Sequence, residues 1–547
     1  FVSFAPEVLP GADALHLHGQ LGRLPNGTCC RITPVHYPKK ISKEEKRDAH
    51  RGFCFNSRTS ESLDVDRSQK DVRSTGCKRK HEAYQCKLPS ASVVMVFHNE
   101  HLVTLVRSLH TVLNHAPPEH LKEVILVDDA STVDPDRFYK RHWDRLQQEL
   151  LDYIVALPKI RLTRLRKRRG LMLARMEGAW RASGDVIVFL DSHIEATPGW
   201  LEPLLAHIGA DPRNVVVPNI DTIDNDNFKY HTGGLGVLSF TWTLGQNPTT
   251  RPKNDEPAKS PVMAGGLFAA DRLFFMHLGG YDPEMKLYGG EEMEIGFRTW
   301  MCGGRIEHVP CSHVGHIFRQ GNFWQGQVYR VPMEEITRNK LRAAAVWMDE
   351  YKDLVFLASP HLPAGMSIEP LHDRRELRKR LQCQSFDWFL KNVAQDIRPP
   401  NLNNTNRRGA LANLMTNTCA DTLGAMKPSD EVGAYPCHGG GGPPLPGGTQ
   451  DADMDSLGQV SFTAASKMCM AVRRKHPRFW PCDAGPETKW RWVSESPSLK
   501  GIGRLAGVGD RMHKCLGVVP EKTKKSPFRL VLEQCSGDPM QLWTWFD

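Results

Sequence analysis

Four short apolar runs stand out in the first half of the chain: Val93–Phe97, Val124–Val127, Val186–Leu190 and Val215–Val217. All are rich in β-branched residues, and they read as buried strands. Between the first two, Leu102, Leu105, Val106, Leu109, Val112 and Leu113 recur at helical spacing, and Pro117-Pro118 closes the stretch. Strand–helix–strand alternation predicts a parallel α/β sheet. Three of the runs lead into polar residues: His98-Asn99-Glu100, Asp128-Asp129 and Asp191-Ser192-His193. Ligands of open α/β sheets bind outside the carboxyl ends of the strands, so the pattern lines these groups along one rim.

On either side the pattern changes. The first 85 or so residues are polar and irregular, with a basic stretch from Lys39 to Arg51. They read as a stem or wrapping segment, which Cys29, Cys30 and Cys54 would partly tie down. Past Pro399-Pro400, residues 401–408 read as a polar linker. Beyond it the cysteines fall in pairs: Cys419/Cys437, Cys469/Cys482 and Cys515/Cys535. The pairs recur about every 50 residues, the mark of a threefold internal repeat whose units must pack together to bury a core. The third unit ends in Gln541-Leu542-Trp543.

A chain of 547 residues is too long for one core, so two or three domains are expected. No run of about 18 apolar residues occurs, so nothing reads as a membrane span. The chain begins at Phe1, which reads as a fragment or mature form from which any signal or anchor segment has been removed. The net charge of +9 is mild for this length and compatible with an anionic ligand. Without zinc-finger spacing or a long basic arm, nucleic acid is not an expected partner. The 14 cysteines include no C-x-x-C, which argues against zinc and thioredoxin-like chemistry. With the sequons at Asn26 and Asn403 they point to an oxidising, disulfide-forming compartment.

Asp191-Ser192-His193 offers a carboxylate and an imidazole on one turn. A diphosphate-bridging metal needs oxygen ligands and open positions, and an added imidazole shifts preference from Mg toward Mn or another transition ion. A plainer reading is a strand-end acid with a chance histidine. Either His313 or His316 could be a third ligand, and spacing does not choose between them. Arg319 could neutralise a leaving diphosphate. Gly289-Gly290-Glu291-Glu292 precedes an expected helix; its glycines allow close backbone approach and its carboxylates could bond sugar hydroxyls, or serve only as a helix N-terminus. Arg161 to Arg169 carries six basic residues, most of them expected on a solvated face, with Gly170 opening a helix whose N-terminus is an anion site. No Ser-His-Asp pattern, G-x-S-x-G elbow, Walker motif or G-x-G-x-x-G is present, which leaves hydrolase, P-loop and dinucleotide functions without support.

These segments together resemble the polypeptide N-acetylgalactosaminyltransferases from about residue 75 to the end. The match is carried, in order, by Phe97-His98-Asn99-Glu100, Val127-Asp128-Asp129, Phe189–His193, Trp200–Leu205, Met263–Phe268, Val314–Arg319 and Val346–Tyr351. The resemblance implies a GT-A, Rossmann-like α/β domain and a ricin-type all-β trefoil lectin domain. The expected boundaries are 1–85 for the stem or wrapping segment, 86–396 for the catalytic domain, 397–408 for the linker and 409–547 for the trefoil. It implies retaining transfer of GalNAc from UDP-GalNAc to Ser or Thr hydroxyls of mucin-like polypeptides or glycopeptides. Mn2+ is the implied cofactor, and the Golgi lumen the implied location, as a type II membrane protein when full length. Asp191, His193 and His316 would hold the metal. His98, Asp129 and Arg168 would contact uridine, with Arg175 nearby, and Ser192 and Gly266 would line the donor site. Arg319 would meet the diphosphate and Glu291 the sugar. Phe240, Trp242 and Phe318 would receive the acceptor, and residues 318–328 would form a mobile loop over UDP. Asp421, Tyr435 and His438 would form the lectin sugar site.

The implied disulfides are Cys77–Cys311, Cys302–Cys383 and one per trefoil repeat; the pairing of Cys29, Cys30, Cys54 and Cys86 stays open. Four departures from the family pattern matter. Tyr288-Gly289-Gly290-Glu291-Glu292 replaces Trp-Gly-Gly-Glu-Asn, Trp324 replaces a Tyr, Ile194 replaces a Cys and Pro443 replaces an Asn. The second and third repeats read Cys469-Met470-Ala471 and Cys515-Leu516-Gly517, so both lack the sugar-binding Asp and at most one lectin site is expected. Two alternatives to the transferase are a GalNAc-glycoprotein-binding lectin with weak catalysis and a GT-A enzyme using another UDP-sugar.

Overall fold

In the computed structural model, residues 15–18, 32–38, 42–82, 88–131, 144–249, 254–319, 331–397, 400, 402–403, 405–424, 427–438, 448–465, 467–473, 475–509, 513–521 and 526–546 are described. The chain forms two compact units. Residues 1–238, 248–349 and 362–386 make the first, and residues 239–247, 350–361 and 387–547 the second.

The first unit is built on a mixed sheet. Its strands are β1 (Leu15–His18), β2 (Ala91–Phe97), β3 (Leu121–Asp128), β4 (Ile160–Arg164), β5 (Val186–Asp191), β6 (Ile194–Ala196), β7 (Asn214–Ile223), β8 (Tyr230–Leu235), β9 (Phe268–Asp271) and β10 (Arg305–Ile317). The spatial order is β1-β4-β3-β2-β5-β9-β7-β10, and β6 pairs with β10. Strands β4, β3, β2 and β5 run parallel, and β9 is antiparallel to β5 and β7. The four apolar runs lie inside β2, β3, β5 and β7, as their patterning predicts. Strand β2 is buried almost throughout, because helices pack on both faces of a parallel sheet. The expected helix is Leu102–His115, and its apolar positions are buried except Leu113, which is half-buried.

The basic run at 161–169 divides. Arg161 and Arg164 lie in β4 and pair with Glu123 (2.6 Å) and Asp128 of β3. These two are the exceptions in a mostly solvated run: cross-strand acids give an Arg-bearing strand a place in the sheet. Arg166 to Arg169 are exposed.

The segment between β1 and β2 packs on the first unit as a strap. It carries α1 (Lys43–His50), α2 (Ser57–Glu61) and α3 (Thr75–Glu82). Phe53 and Phe55 are fully buried with Ile223, Phe228 and Ile317. Arg67 bonds the buried Glu195 at 2.5 Å, and Cys77 is disulfide-bonded to Cys311. Cys302–Cys383 also forms. Cys54, expected to help tie the segment, is instead a free, buried thiol. Apolar packing and Cys77 hold the strap there; Cys29, Cys30 and Cys86 lie outside the described residues.

In the second unit twelve strands between Arg408 and Phe546 join in one antiparallel sheet system, closed on a core that includes Trp490, Trp543, Trp545, Phe462 and Phe479. The threefold repeat is visible in equivalent bonds. Trp490 Nε1 donates to the Met470 carbonyl (2.7 Å) and Trp543 Nε1 to the Leu516 carbonyl (2.8 Å), each acceptor following the first cysteine of its repeat. Disulfides Cys419–Cys437, Cys469–Cys482 and Cys515–Cys535 close the three repeats.

Candidate metal centre and active site

Strand β5 ends on Asp191, and the turn to β6 carries Ser192 and His193. Strand β10 brings His316 opposite Ile194, the residue after His193. His316 Nε2 then lies 3.2 Å from Asp191 Oδ2, the rings of His193 and His316 are 4.8 Å apart, and one ligand atom from each of the three lies within 4.8 Å of the others. His313, the other candidate, faces away. Its Nδ1 donates to Asp221 (2.7 Å), a fully buried carboxylate that also accepts from the Tyr230 hydroxyl (2.8 Å) and the Gly233 N–H (2.7 Å). His313 is therefore part of a polar core network.

The donor set fits a divalent transition ion. His193 Nδ1 donates to Glu100 (2.9 Å), which fixes its tautomer and leaves Nε2 for a metal. Burial pushes the His193 imidazole below its usual value, so it is held in its neutral, ligating form. Burial alone would raise the Asp191 carboxyl, but His316 and Arg175 outweigh it and hold it well below the usual carboxylate range. The buried His316 Nδ1 has no hydrogen-bond partner.

Two residues that were not expected at the metal site organise this centre. Glu100, buried just past β2, accepts from Ser192 Oγ (2.8 Å), His193 Nδ1 (2.9 Å), Arg319 Nη2 (2.5 Å) and, through its other oxygen, the His101 N–H (2.9 Å). Its position one residue beyond a strand-end His-Asn was the available signal. Arg175, on α4 (Leu171–Arg181), is fully buried. It donates to Asp191 Oδ1 (3.1 Å), to the carbonyls of Gly265 (2.5 Å) and Gly266 (2.9 Å), and to the Tyr281 oxygen (3.0 Å). It therefore serves Asp191, rather than the uridine-side group near which it was expected. A Cβ at Gly266 would stand 2.6 Å from Asp191 Oδ2, so only glycine leaves the carboxylate its place.

A second polar group lies at the ends of β2 and β3. His98 Nδ1 donates to the Asp129 carbonyl (2.7 Å), and the Asp129 carboxylate accepts the N–H groups of Arg169 (2.6 Å) and Gly170 (2.8 Å). Burial pushes His98 down, assisted by the charge of exposed Arg168, and pushes Asp129 up.

Gly289 and Gly290 take positive φ (95° and 84°) and lead into α5 (Glu291–Met301). The Glu291 carboxylate accepts the Gly289 N–H at 2.8 Å. Burial, then the charge of Glu292, raises the Glu291 carboxyl above its usual value. One buried oxygen of Glu292 has no hydrogen-bond partner, and its charge acts on Lys340. Phe318 packs edge-on against His316 at 4.6 Å. Residues 320–328 of the expected loop, Trp324 among them, lie outside the described residues.

Phe240 and Trp242 belong to the second unit and are buried, Phe240 against Phe389 and Trp242 stacked on Tyr351 at 5.6 Å. In the first trefoil repeat, Asp421 is buried and accepts from Gln450 Nε2 (2.8 Å), while Gln450 accepts the His438 N–H (2.7 Å). Tyr435 is exposed, with its ring 5.8 Å from His438. Gln541 repeats the frame, accepting the Ser536 N–H (3.0 Å), but Gly517 stands where the carboxylate would be. In the second repeat Ala471 replaces the Asp, and the Arg473 guanidinium covers the Trp480 face at 3.7 Å. Pro443 and most of Gly439–Gly448 lie outside the described residues.

Comparisons with known proteins agree with this arrangement. The glycosyl transferase family 2 model matches residues 92–279, the N-terminal domain of galactosyltransferase residues 249–320, and the ricin-type beta-trefoil lectin domain residues 407–543. The fold and the metal-ligand cluster thus define a GT-A glycosyltransferase with a trefoil lectin domain. Polypeptide N-acetylgalactosaminyltransferase 13 of Rattus norvegicus is 36% identical over 92% of this chain and 86% of its own length. Polypeptide N-acetylgalactosaminyltransferase 10 of Homo sapiens is 40% identical over 73% of this chain, which spans 64% of that protein. The crystal structure of GalNAc-T7 with UDP, GalNAc and Mn2+ matches 100% of this chain and 99% of its own, at 27% identity and a TM-score of 0.62. The chain belongs to the polypeptide N-acetylgalactosaminyltransferase family.

Proposed function

We propose that the chain transfers GalNAc from UDP-GalNAc to Ser or Thr hydroxyls of polypeptides and glycopeptides, with retention of anomeric configuration and with Mn2+ as cofactor. The observation that carries this reading is the Asp191/His193/His316 cluster beside the Glu100–Arg319 pair. Bound there, Mn2+ would supply Lewis-acid neutralisation of the donor diphosphate. His98, Asp129 and Arg168 would hold uridine, and the bond from His98 to the Asp129 carbonyl, with the charge of Arg168 nearby, supports a preorganised pocket. Ser192 and Gly266 would line the donor site, and Arg319 would take up charge on the departing UDP. Glu291, whose raised pKa favours the protonated form, would bond a GalNAc hydroxyl.

In the transfer, the bond from the anomeric carbon to the β-phosphate oxygen breaks and its electrons leave with UDP. The acceptor oxygen bonds the same face of that carbon, and its proton passes to the departing phosphate. The protein orients and neutralises, and needs no nucleophile of its own. Phe318, beside His316, would meet the acceptor. Asp421, Tyr435 and His438 would bind a GalNAc already on the substrate, a reading supported by the buried carboxylate beside an exposed ring. The Golgi lumen is the proposed location, as a type II membrane protein when full length, and the five disulfides among the described residues support an oxidising compartment. Among the described residues no helix is long and apolar enough to cross a membrane.

The test is UDP release from UDP-GalNAc with Mn2+, on a bare Thr-rich peptide and on the same peptide carrying one GalNAc. Turnover on either, lost in His316→Ala, is the expected result. Faster turnover of UDP-GlcNAc or UDP-glucose, or glycopeptide binding without turnover, would overturn it.

A further inference from the structure

The glycosyltransferase family 2 match begins at residue 92, yet the centre is closed from behind by residues upstream of it. Gly52 and Cys54 take positive φ (83° and 58°) and fold the strap into a tight turn. The rings of Phe53 and Phe55 then stack at 5.7 Å, both fully buried. The Arg319 guanidinium lies over the Phe55 ring, 5.8 Å from its centroid. The His101 ring packs edge-on against both, 5.0 Å from Phe53 and 5.9 Å from Phe55. His101 is also anchored by Thr104 (3.0 Å) and by Glu61 of the strap (3.4 Å), and its N–H holds Glu100.

The strap thus grips both members of the Glu100–Arg319 pair, Glu100 through His101 and Arg319 through the Phe55 face. That pair sits directly behind His193, with Arg319 Nη2 3.2 Å from His193 Nδ1. A guanidinium stacked on an aromatic face keeps its charge while giving up little freedom, which orients it without neutralising it.

We infer that the strap is part of the donor-site machinery, and that Phe55 is a positioning residue that sets the Arg319 guanidinium for the diphosphate. The inference rests on the proposed use of this site for a UDP-sugar. Its test is Mn2+-dependent UDP binding, measured by calorimetry on the whole chain, with peptide KM and thermal midpoint recorded for each variant. Phe55→Leu keeps the apolar packing and removes the ring. It should weaken UDP binding about fivefold, the scale of a part-buried cation–π contact. Peptide KM should not change.

Phe228→Leu, in the same apolar cluster at 5.8 Å from Phe55, controls for packing and should bind UDP normally at a similar thermal midpoint. Because Phe55 acts through Arg319, the Phe55→Leu effect should largely vanish in an Arg319→Lys background. Unchanged UDP binding in Phe55→Leu would overturn the inference, as would an equal loss in both backgrounds or in the Phe228 control. These outcomes leave the transferase reading intact. Failure of the unmodified protein to bind UDP with Mn2+ would overturn both, whereas UDP binding without GalNAc turnover would overturn only the transferase reading.

Discussion

Replacing Glu100 with Gln tests whether the metal centre depends on a carboxylate that touches no substrate. In the native site burial alone would raise the Glu100 carboxyl, but Arg319 and His193 bring it down to about 2, so it is ionised. Gln has nearly the same shape, and its one oxygen can still accept from Ser192 Oγ while its NH2 replaces the oxygen that met the His101 N–H, so the fold should survive with one bond fewer. What disappears is the negative charge that Arg319 meets at 2.5 Å and His193 Nδ1 at 2.9 Å. A hydrogen bond to a charged group is worth about 1.5–3 kcal/mol. Removing the charge weakens two of them and leaves Arg319 uncompensated beside an incoming cation. Partners of metal-ligating histidines typically carry about 10- to 100-fold in metal affinity, and a loss in that range is expected here. Calorimetric titration of Mn2+ in the presence of UDP reads it directly. Native Mn2+ affinity in a folded Glu100→Gln protein would refute the argument that Glu100 sets the His193 tautomer and restrains Arg319.

Gly266→Ala should push Asp191 out of place, since its Cβ would fall 2.6 Å from Asp191 Oδ2; displacements approaching 1 Å cost about 100-fold, readable in kcat/KM at saturating peptide. Glu294 sits fully buried between Arg298 (2.7 Å) and Arg374 (3.0 Å). Burial opposes its charge, but the two guanidiniums bring its pKa down to about 2. A depressed carboxylate contributes stability above its unfolded pKa of about 4.3 and loses it as pH falls toward the folded value, a contribution of about 3 kcal/mol. Glu294→Gln should therefore lower the thermal midpoint at pH 7 and flatten its fall between about pH 4 and pH 2; a parallel acid profile would count against the pairing. Asp421→Asn should spare turnover of bare peptide and slow that of a peptide with a distant GalNAc, so equal loss on both would remove the lectin role.

Patterning identified strands where burial on both faces left uninterrupted apolar runs, as in β2 and β5. It did not find β4, because Arg161 and Arg164 look like members of a basic loop until Glu123 and Asp128 are seen beside them. The choice between His313 and His316 was open from spacing alone. It turns on strand register, since β10 shifts against β7 between Val309 and His313 and then pairs His316 with Ile194 on its other edge. Asp191 and His193 were legible because they follow a clear strand. Glu100 and Arg175 take their roles from contacts distant in sequence, and the one local trace was the place of Glu100 just past a strand-end His-Asn. The strap reads as a wrapping segment, and the family resemblance implied its Cys77–Cys311 bond, but the burial of Phe53 and Phe55 that also attaches it was not legible.

The Cys77–Cys311 bond spans 234 residues and joins the strap to the last long strand of the first unit. During synthesis Cys77 must therefore emerge, and wait as a thiol, while nearly the whole sheet is still to be made. His316 and Arg319 follow Cys311 in that same strand and the turn after it. The covalent loop and the metal centre are thus completed by one late stretch of chain, and a polypeptide stopped short of it would have neither. Shielding Cys77 from wrong partners in the meantime falls to the redox helpers of the compartment, which makes the order of translation a constraint on making an active enzyme.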